Sequence, residues 1–257
     1  MTDRLKNSLI KVRESRPLVY CITNYVAAEW TANALLAIGA LPIMSYAKEE
    51  AEETAEKSDA VLINIGTPDA DLAETVLIAG KTANKKGVPL VFDPVGAGFT
   101  RYRLDICREI LSGVRPDIIK GNEGEISALL GGKSLMKGVE SIKTNTDLYV
   151  LSRKTAEKYH CVCAVTGETD YISNNSDTFI NNTGHELLTR VAGTGCVCGA
   201  LCGAFASLGD PYMGAVNAVE LMCLAGEYAS EKCSSDIGSF KYELLNYFSN
   251  WEKKVMI

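Results

Sequence analysis

The segment RVAGTGC, residues 190–196, places a Gly-Thr-Gly turn directly before the small and apolar run VCGALCGAFA. A glycine turn that enters a helix leaves backbone N–H groups available to an anion, and the helix N-terminus adds partial positive charge. The turn lacks the Lys-Ser/Thr ending of a Walker-type loop, which excludes that class of NTPase. Glu220, about 20 positions on, falls inside a helix pattern, so a dinucleotide-binding fold is disfavoured.

Two further polar residues follow apolar strand-like runs. Asn24 ends CITN and precedes an Ala-rich helix, so it either only caps that helix or also points polar atoms into a crevice. Asp93 follows the apolar run PLVF and begins the turn DPVGAG. Its carboxylate is either a metal partner or orienting group, or a local turn acceptor. Because the run before Asp93 is apolar throughout, we favour a functional role for this carboxylate over a local turn contact.

The segment KGNEGEI, residues 120–126, brings a base, an amide and a carboxylate to the start of a helix. Asn122 followed three residues later by Glu125 is the pattern of a capping box. The alternative is that both hold a hydrated Mg²⁺, which needs only one or two carboxylates besides phosphate oxygens, with Lys120 facing the phosphate. Thr166 ends another strand in VTGETDYI. The Thr-Gly pair there is either part of a functional site or reflects only the glycine that a turn requires.

The elements that must position these residues alternate along the chain. Short runs rich in Val and Ile alternate with helix-like spacing, which is typical of a parallel βαβ sheet whose ligand lies beyond the carboxyl ends of the strands. The predicted strands are LVYCI (18–22), LPIMS (41–45), AVLINI (60–65), PLVFD (89–93), DIIK (117–120), CVCAVT (161–166) and DYISN (170–174). The predicted helices cover residues 25–38, 69–86, 100–111, 123–130 and 147–159, with a surface loop at 131–141.

The chain is predicted to be almost wholly helical after Gly195. The last helix is amphipathic, and its apolar residues are expected to pack on the domain. These are Phe240, Leu244, Tyr247, Phe248 and Trp251.

Composition favours one globular α/β domain over residues 1–257, since 47% of residues are hydrophobic and 23% charged. The net charge of −6 is spread without blocks, so we expect a small-molecule partner, with no nucleic acid and no membrane. The N-terminal segment has no signal-peptide core, and no apolar run reaches the roughly 18 residues of a membrane span. These features predict a cytoplasmic protein.

Nine cysteines, most of them in apolar strings, favour reduced thiols in a reducing compartment rather than a disulfide framework. The C-x-C pairs Cys161/Cys163 and Cys196/Cys198 suggest a zinc site as an alternative. With only two histidines and no C-x-x-C pair, buried packing is favoured over zinc.

Taken together and in this order, the motifs resemble the hydroxyethylthiazole kinase family of thiamin salvage. The matching segments extend from Pro17 to about Leu208 and are PLVYCITNYV, NALLAIGALPIMSYAKEE, FDPVGAG, IIKGNEGEI, AVTGETDYI and RVAGTGC. The resemblance implies a three-layer, ribokinase-like α/β fold with a mostly parallel central sheet flanked by helices. It also implies transfer of the γ-phosphoryl of ATP, with Mg²⁺, to the alcohol of 4-methyl-5-(2-hydroxyethyl)thiazole.

The resemblance further implies a role for each matching residue. Met44 and Gly193 would contact the thiazole, Lys120 and Thr166 would contact ATP, and Asp93 and Glu125 would organise the metal. The reading of the residues themselves adds Asn24 to the substrate site and Asn122 to the metal site. It also adds the backbone of Gly193, Thr194 and Gly195 to the phosphate site. A homotrimer with sites between subunits is implied as well, in which Asn24 and Met44 act across an interface. The chain departs from the family pattern at Lys120, a position more often occupied by Arg. The planar guanidinium of Arg, which can bind an anion through two N–H groups, is replaced there by the compact ammonium of Lys.

Cys196 stands where related sugar and pyrimidine kinases carry an aspartate that accepts the substrate proton. Phosphoryl transfer relies mainly on positioning and charge stabilisation, so a weak acceptor suffices. The helix N-terminus favours a thiolate, whereas the charge of ATP opposes it. We predict that Cys196 positions the hydroxyl and takes its proton late, and the alternative is a cysteine selected for its size.

Three rival functions stay open at this point. One is a kinase of the same fold for another small alcohol, such as hydroxymethylpyrimidine. Another is the dehydratase that repairs hydrated nicotinamide cofactors, which normally keeps Asp at the glycine turn. The third is a thiazole- or nucleotide-binding sensor without turnover, which the retained Asp93, Asn122 and Glu125 disfavour.

Overall fold

The computed structural model describes residues 1–132, 136–137, 140–141, 147–233 and 235–254. Its strands are β1 (Leu18–Ile22), β2 (Leu41–Met44), β3 (Ala60–Asn64), β4 (Leu90–Asp93), β5 (Ile118–Asn122), β6 (Met136–Lys137), β7 (Glu140–Ser141), β8 (Val162–Thr166), β9 (Asp170–Ser173) and β10 (Thr178–Asn181). Eight of them form one sheet in the order β10-β9-β8-β5-β4-β3-β1-β2, and β6 pairs separately with β7. The six strands from β8 to β2 are parallel, while β9 pairs antiparallel with both β8 and β10 at one edge.

Helices connect these strands and complete the chain. They are α1 (Asp3–Ser15), α2 (Ala28–Ile38), α3 (Lys48–Lys57), α4 (Leu72–Lys86), α5 (Arg101–Gly113), α6 (Glu123–Leu129), α7 (Leu148–Tyr159), α8 (Thr194–Ala206), α9 (Pro211–Cys233) and α10 (Ile237–Lys254). A short 3₁₀ helix, Glu186–Arg190, precedes α8.

Two hydrophobic cores lie on opposite faces of the sheet. In β1, Val19 and Cys21 face one core, and Tyr20 and Ile22 face the other, as the two-residue period of a strand requires. The first core is formed with α1, α2, α8, α9 and α10, and the second with α3, α4, α5, α6 and α7. The predicted three-layer α/β arrangement is therefore confirmed.

Strand register brings polar residues to one edge of the sheet. Asn64, the last residue of β3, pairs with Asp93, the last residue of β4. Asn122, at the end of β5, pairs with Thr166 at the end of β8. Each of these four strands ends in a polar residue, and the parallel register sets the end residues of neighbouring strands side by side.

The seven predicted strands and five predicted helices are all present, with boundaries that differ by at most three residues. The predicted packing of the last helix is also confirmed, since all five of its named apolar side chains are buried. Part of the predicted loop at 131–141 lies outside the described residues, and within it β6 and β7 form a short antiparallel pair.

Helices α1 and α3 and strand β10 are among the elements that the sequence did not predict. Helix α3 buries only Ala51, Thr54 and Ala55, so it lacks the large apolar residues that mark a helix face. Helix α1 buries Leu5, Leu9 and Val12. Strand β10 is short and forms the sheet edge, where three of its four residues are partly or fully exposed.

Within the described part of the chain, no helix has the length and apolar character needed to cross a membrane. All nine cysteines are buried free thiols.

Candidate functional site

A chain of hydrogen bonds runs across the carboxyl edge of the sheet. Cys196 Sγ, in the first turn of α8, lies 3.0 Å from Asn24 Nδ2. Asn24 Nδ2 also lies 2.9 Å from Asn64 Oδ1, and Asn64 Nδ2 donates to Asp93 Oδ2 at 3.0 Å. The structure thus brings together the predicted substrate residue Asn24, the predicted metal ligand Asp93 and the thiol.

Asp93 and Lys120 form a buried ion pair beneath this chain. Lys120 Nζ lies 3.8 Å from Asp93 Oδ2, and both side chains are almost fully buried. Burial raises the pKa of Asp93, while Lys120 and the Asn64 amide oppose that rise. Burial lowers the pKa of Lys120, but Asp93 together with Cys198, Glu125 and Cys196 outweighs this, and the net shift is upward. Lys120 therefore stays a cation at neutral pH.

The second oxygen of Asp93 is oriented for an additional partner. Asp93 Oδ1 is buried and has no hydrogen-bond partner among the residues that the structure describes. A buried carboxylate oxygen without a partner is costly, and a hydrated cation would satisfy it. The described residues contain no group of three or more His, Cys, Asp or Glu side chains arranged around a metal. This donor set fits Mg²⁺, which keeps several waters and binds through one or two carboxylates plus phosphate oxygens.

Asn122 and Glu125 form the capping box that their spacing predicts. Asn122 Oδ1 accepts from the Glu125 N–H at 3.0 Å, and Glu125 Oε2 accepts from the Asn122 N–H at 2.8 Å. Glu125 Oε1 accepts from Gly96 N–H at 2.9 Å, which ties the turn after β4 to α6. Burial raises the pKa of Glu125 to about 7, with the charge of Asp93 acting in the same direction and Lys120 opposing.

The glycine turn is shaped by close approach. Gly193 has φ +89°, and a Cβ there would lie 2.9 Å from Ala27 Cβ, so a larger residue is disfavoured by conformation and by space. A Cβ on Gly195 would lie 3.0 Å from Lys120 Nζ. Thr194 Oγ1 donates to the carbonyl of Leu188 at 2.8 Å, which anchors the turn to the preceding 3₁₀ helix. The start of α8 therefore lies directly over the Lys120 ammonium.

The Cys196 thiol is protonated at neutral pH. Burial raises its pKa to about 11, the nearby Asp93 acts in the same direction, and Lys120 and the Asn24 amide oppose them. The helix N-terminus, from which the sequence argued for a favoured thiolate, does not decide the net shift. That part of the sequence interpretation was wrong, because an adjacent carboxylate and loss of water outweigh the dipole.

Two predicted residues lie at the margins of this cluster. Thr166 Oγ1 donates to the carbonyl of Gly121 at 3.4 Å, which places its side chain beside the start of α6. Met44 ends β2, the edge strand, and is partly buried. It lies two strands away from Asn64, on the far side of β1.

Sequence reasoning missed two residues of the site. Asn64 ends an apolar run in the same way as Asp93, and that signal was available in AVLIN. Arg103 donates to the carbonyls of Ile65, Gly66 and Val95, each at 2.9 Å, and so joins the loops that follow β3 and β4. No pattern in the sequence of α5 indicates this bridging role.

The raised pKa of Glu125 predicts a pH-dependent stability. The folded protein keeps this proton up to about pH 7, whereas the unfolded chain loses it near its ordinary pKa of about 4.3. Between these values the unfolded state binds fewer protons, so this group lowers the free energy of unfolding as the pH rises.

Urea unfolding of wild type and Glu125→Gln from pH 4.5 to pH 8 measures this effect. Wild type should lose on the order of 3 kcal/mol more than the variant over that interval. Parallel stability curves for the two proteins would contradict the raised pKa.

Comparison with known proteins agrees with this geometry. A model of the hydroxyethylthiazole kinase family matches residues 9–254. A hydroxyethylthiazole kinase from Pyrococcus horikoshii is 44% identical over 251 residues, which cover 97% of this chain and 94% of that protein.

Solved structures show the same likeness. The structure of hydroxyethylthiazole kinase from P. horikoshii superposes with a TM-score of 0.87 at 42% identity, covering 96% of this chain and 93% of that one. A ribokinase-like superfamily protein from Enterococcus faecalis has a TM-score of 0.63 at 15% identity, covering 92% and 86% of the two chains, which identifies the fold as ribokinase-like. The chain belongs to the hydroxyethylthiazole kinase family.

Proposed function

We propose that this protein transfers the γ-phosphoryl group of ATP to the hydroxyl of 4-methyl-5-(2-hydroxyethyl)thiazole, a step of thiamin salvage. The observation that carries the proposal is the hydrogen-bond chain from Cys196 through Asn24 and Asn64 to Asp93. It places a thiol that can contact a hydroxyl and a carboxylate that can hold Mg²⁺ at one helix N-terminus. Membership of the family supports the thiazole as the acceptor.

The phosphates of ATP would bind where positive charge and backbone N–H groups meet. Lys120 lies below the turn formed by Gly193, Thr194 and Gly195, and a Cβ on Gly195 would come within 3.0 Å of its ammonium. The first N–H groups of a helix have no intrahelical partner and bind anions. This arrangement stabilises the charge of the transferring phosphoryl. Thr166 would contact the nucleotide from the end of β8.

Asp93 would hold Mg²⁺ through its unsatisfied oxygen, with Glu125 and Asn122 behind it. Mg²⁺ held there would neutralise negative charge on the phosphates of ATP. Loss of the Glu125 proton then becomes more favourable, because a nearby cation stabilises a carboxylate. Glu125 would thus carry more negative charge in this region when the cation is present than when it is absent.

The thiazole alcohol would bind near Asn24, Met44 and Gly193. Its hydroxyl would contact Cys196 Sγ. Its proton would pass to the ionised sulfur as the new O–P bond forms and the bond between the γ-phosphorus and ADP breaks, so that ADP leaves. Because the thiol is protonated at neutral pH, the acceptor form is a minor fraction that grows as the pH rises. A loose transition state requires that proton transfer only late.

Release of ADP in the presence of ATP and Mg²⁺ tests the proposed function. We compare hydroxyethylthiazole, hydroxymethylpyrimidine and no acceptor at equal protein concentration, and expect release that depends on the thiazole alcohol. Preferential release with the pyrimidine would assign a different alcohol. Thiazole binding without any acceptor-dependent release would indicate a sensor.

Variants of Cys196 test the role of the thiol. Cys196→Ala should lower kcat by about a hundredfold, a typical loss for a general base, whereas Cys196→Asp should keep or raise it at pH 7. The Asp variant should also lose the rise of kcat with pH that wild type shows below about pH 11.

Cys202→Ala is the matched control, since Cys202 is a buried thiol of the same helix. Its kcat should stay within about threefold of wild type. A Cys196→Ala variant whose kcat also stays within about threefold of wild type would contradict the role of Cys196 as a base. The cysteine would then have been selected for its size.

We also propose a homotrimer in the cytoplasm, with sites between neighbouring subunits of a single kinase domain, residues 1–257. Tyr25 and Val26 directly follow Asn24, yet are 66% and 70% exposed, which supports an apolar contact beside the site. Met44 lies on an edge strand, where a neighbour can approach. Light scattering should give about three times the chain mass of 27.7 kDa, and a monomer mass would contradict the trimer.

A further inference from the structure

Asn64 occupies the centre of the hydrogen-bond chain, and the proposed chemistry leaves its function open. It is the last residue of β3 and is only 1% exposed. Its neighbour in the sheet register is Asp93, and its amide lies between that carboxylate and Asn24. A polar side chain buried this deeply keeps its place only if both ends of its amide are satisfied.

Three contacts fix which way the Asn64 amide points. Asp93 Oδ2, 3.0 Å away, belongs to a carboxylate and accepts, so the Asn64 atom that faces it is the NH₂ group. On the other side, the Gly66 N–H lies 3.0 Å from Asn64 Oδ1, and a backbone N–H only donates. The Asn64 oxygen is therefore the atom that faces Asn24, at 2.9 Å from its Nδ2.

The orientation is passed on to Asn24 and from there to the thiol. Asn24 Oδ1 accepts from the Ala27 N–H at 3.0 Å, which independently assigns the other end of this amide as NH₂. That NH₂ group donates to Asn64 Oδ1 and faces Cys196 Sγ at 3.0 Å. The sulfur is consequently a hydrogen-bond acceptor toward Asn24, and its own hydrogen must point elsewhere.

We infer that Asn64 is a positioning residue, which acts together with Asn24 to hold the sulfur of Cys196 as an acceptor and to tie its place to that of Asp93. Without Asn64, the Asn24 amide loses the partner that keeps its NH₂ group between the two acceptors. The thiol then loses a fixed direction. The inference rests on the proposed function for its kinetic consequence, but the orientation itself is a property of the protein alone.

A double-mutant cycle separates positioning from a general effect on folding. Asn64→Leu should lower kcat by about thirtyfold in the wild-type background and by no more than about fivefold in the Cys196→Ala background, with KM changed less than about threefold, because part of its effect passes through the sulfur. The residual effect reflects the lost donor to Asp93. An equal factor in both backgrounds would overturn the inference.

Asn217→Leu is the matched control. Asn217 is also a buried amide, bonded to Arg4 and Ser8 between α1 and α9. Its substitution should change kcat by the same factor in both backgrounds. Should Asn64→Leu fail to fold, Asn64→Ser replaces it in the cycle, with the same two outcomes.

Alkylation of Cys196 by iodoacetamide at pH 8.5, followed by peptide mass spectrometry, gives a readout that needs no turnover. Asn64→Leu removes one of the two amides that hydrogen-bond to Cys196 Sγ and favour its thiolate. Labelling should therefore slow by threefold or more in Asn64→Leu, and not in Asn217→Leu. An unchanged or faster rate would overturn the inference. If wild type releases no ADP with the thiazole alcohol, the proposed function fails, while the labelling rates still decide the role of Asn64.

Discussion

The buried carboxylate of Asp93 is the constraint on which the other features of the site depend. A charge removed from water costs several kcal/mol unless it is paired and hydrogen-bonded. Lys120 supplies the opposite charge at 3.8 Å, and Asn64 supplies a donor at 3.0 Å. Asn64 ends β3, and Lys120 lies near the end of β5. The register of β3, β4 and β5 therefore brings both partners to the carboxylate and offsets the cost of its burial.

The same carboxylate explains why the start of α8 is built from small residues. A Cβ on Gly199 would lie 3.3 Å from Asp93 Oδ2, and one on Gly195 would lie 3.0 Å from Lys120 Nζ. The helix can approach the ion pair this closely only because these positions have no side chain. Its N-terminus then directs its dipole at the place where a phosphoryl group would carry negative charge. The packing of α8 into the core therefore also forms the anion site.

Much of this arrangement could be predicted from local patterns in the sequence. The strand ends at Asn24, Asp93 and Thr166 could be predicted because apolar runs stop there, and parallel strands bring such ends to one edge. The pairing of Asn64 with Asp93 depends on register between two strands, which no local pattern specifies. The ionisation of Cys196 depends on burial, a carboxylate and an ammonium acting together, and only the helix dipole was visible in the sequence. Helix α3 escaped prediction because its buried face consists of Ala and Thr.

The central claim is that a substrate hydroxyl meets the Cys196 sulfur and the transferring phosphoryl at the start of α8. A crystal structure of the protein with the thiazole alcohol, Mg²⁺ and a non-hydrolysable ATP analogue measures this directly. The account predicts the hydroxyl oxygen within about 3.5 Å of Cys196 Sγ, roughly the reach of a near-attack contact, and in line with the γ-phosphorus. A hydroxyl that instead contacts neither the sulfur nor the glycine turn, with the phosphates bound away from Lys120, would contradict it.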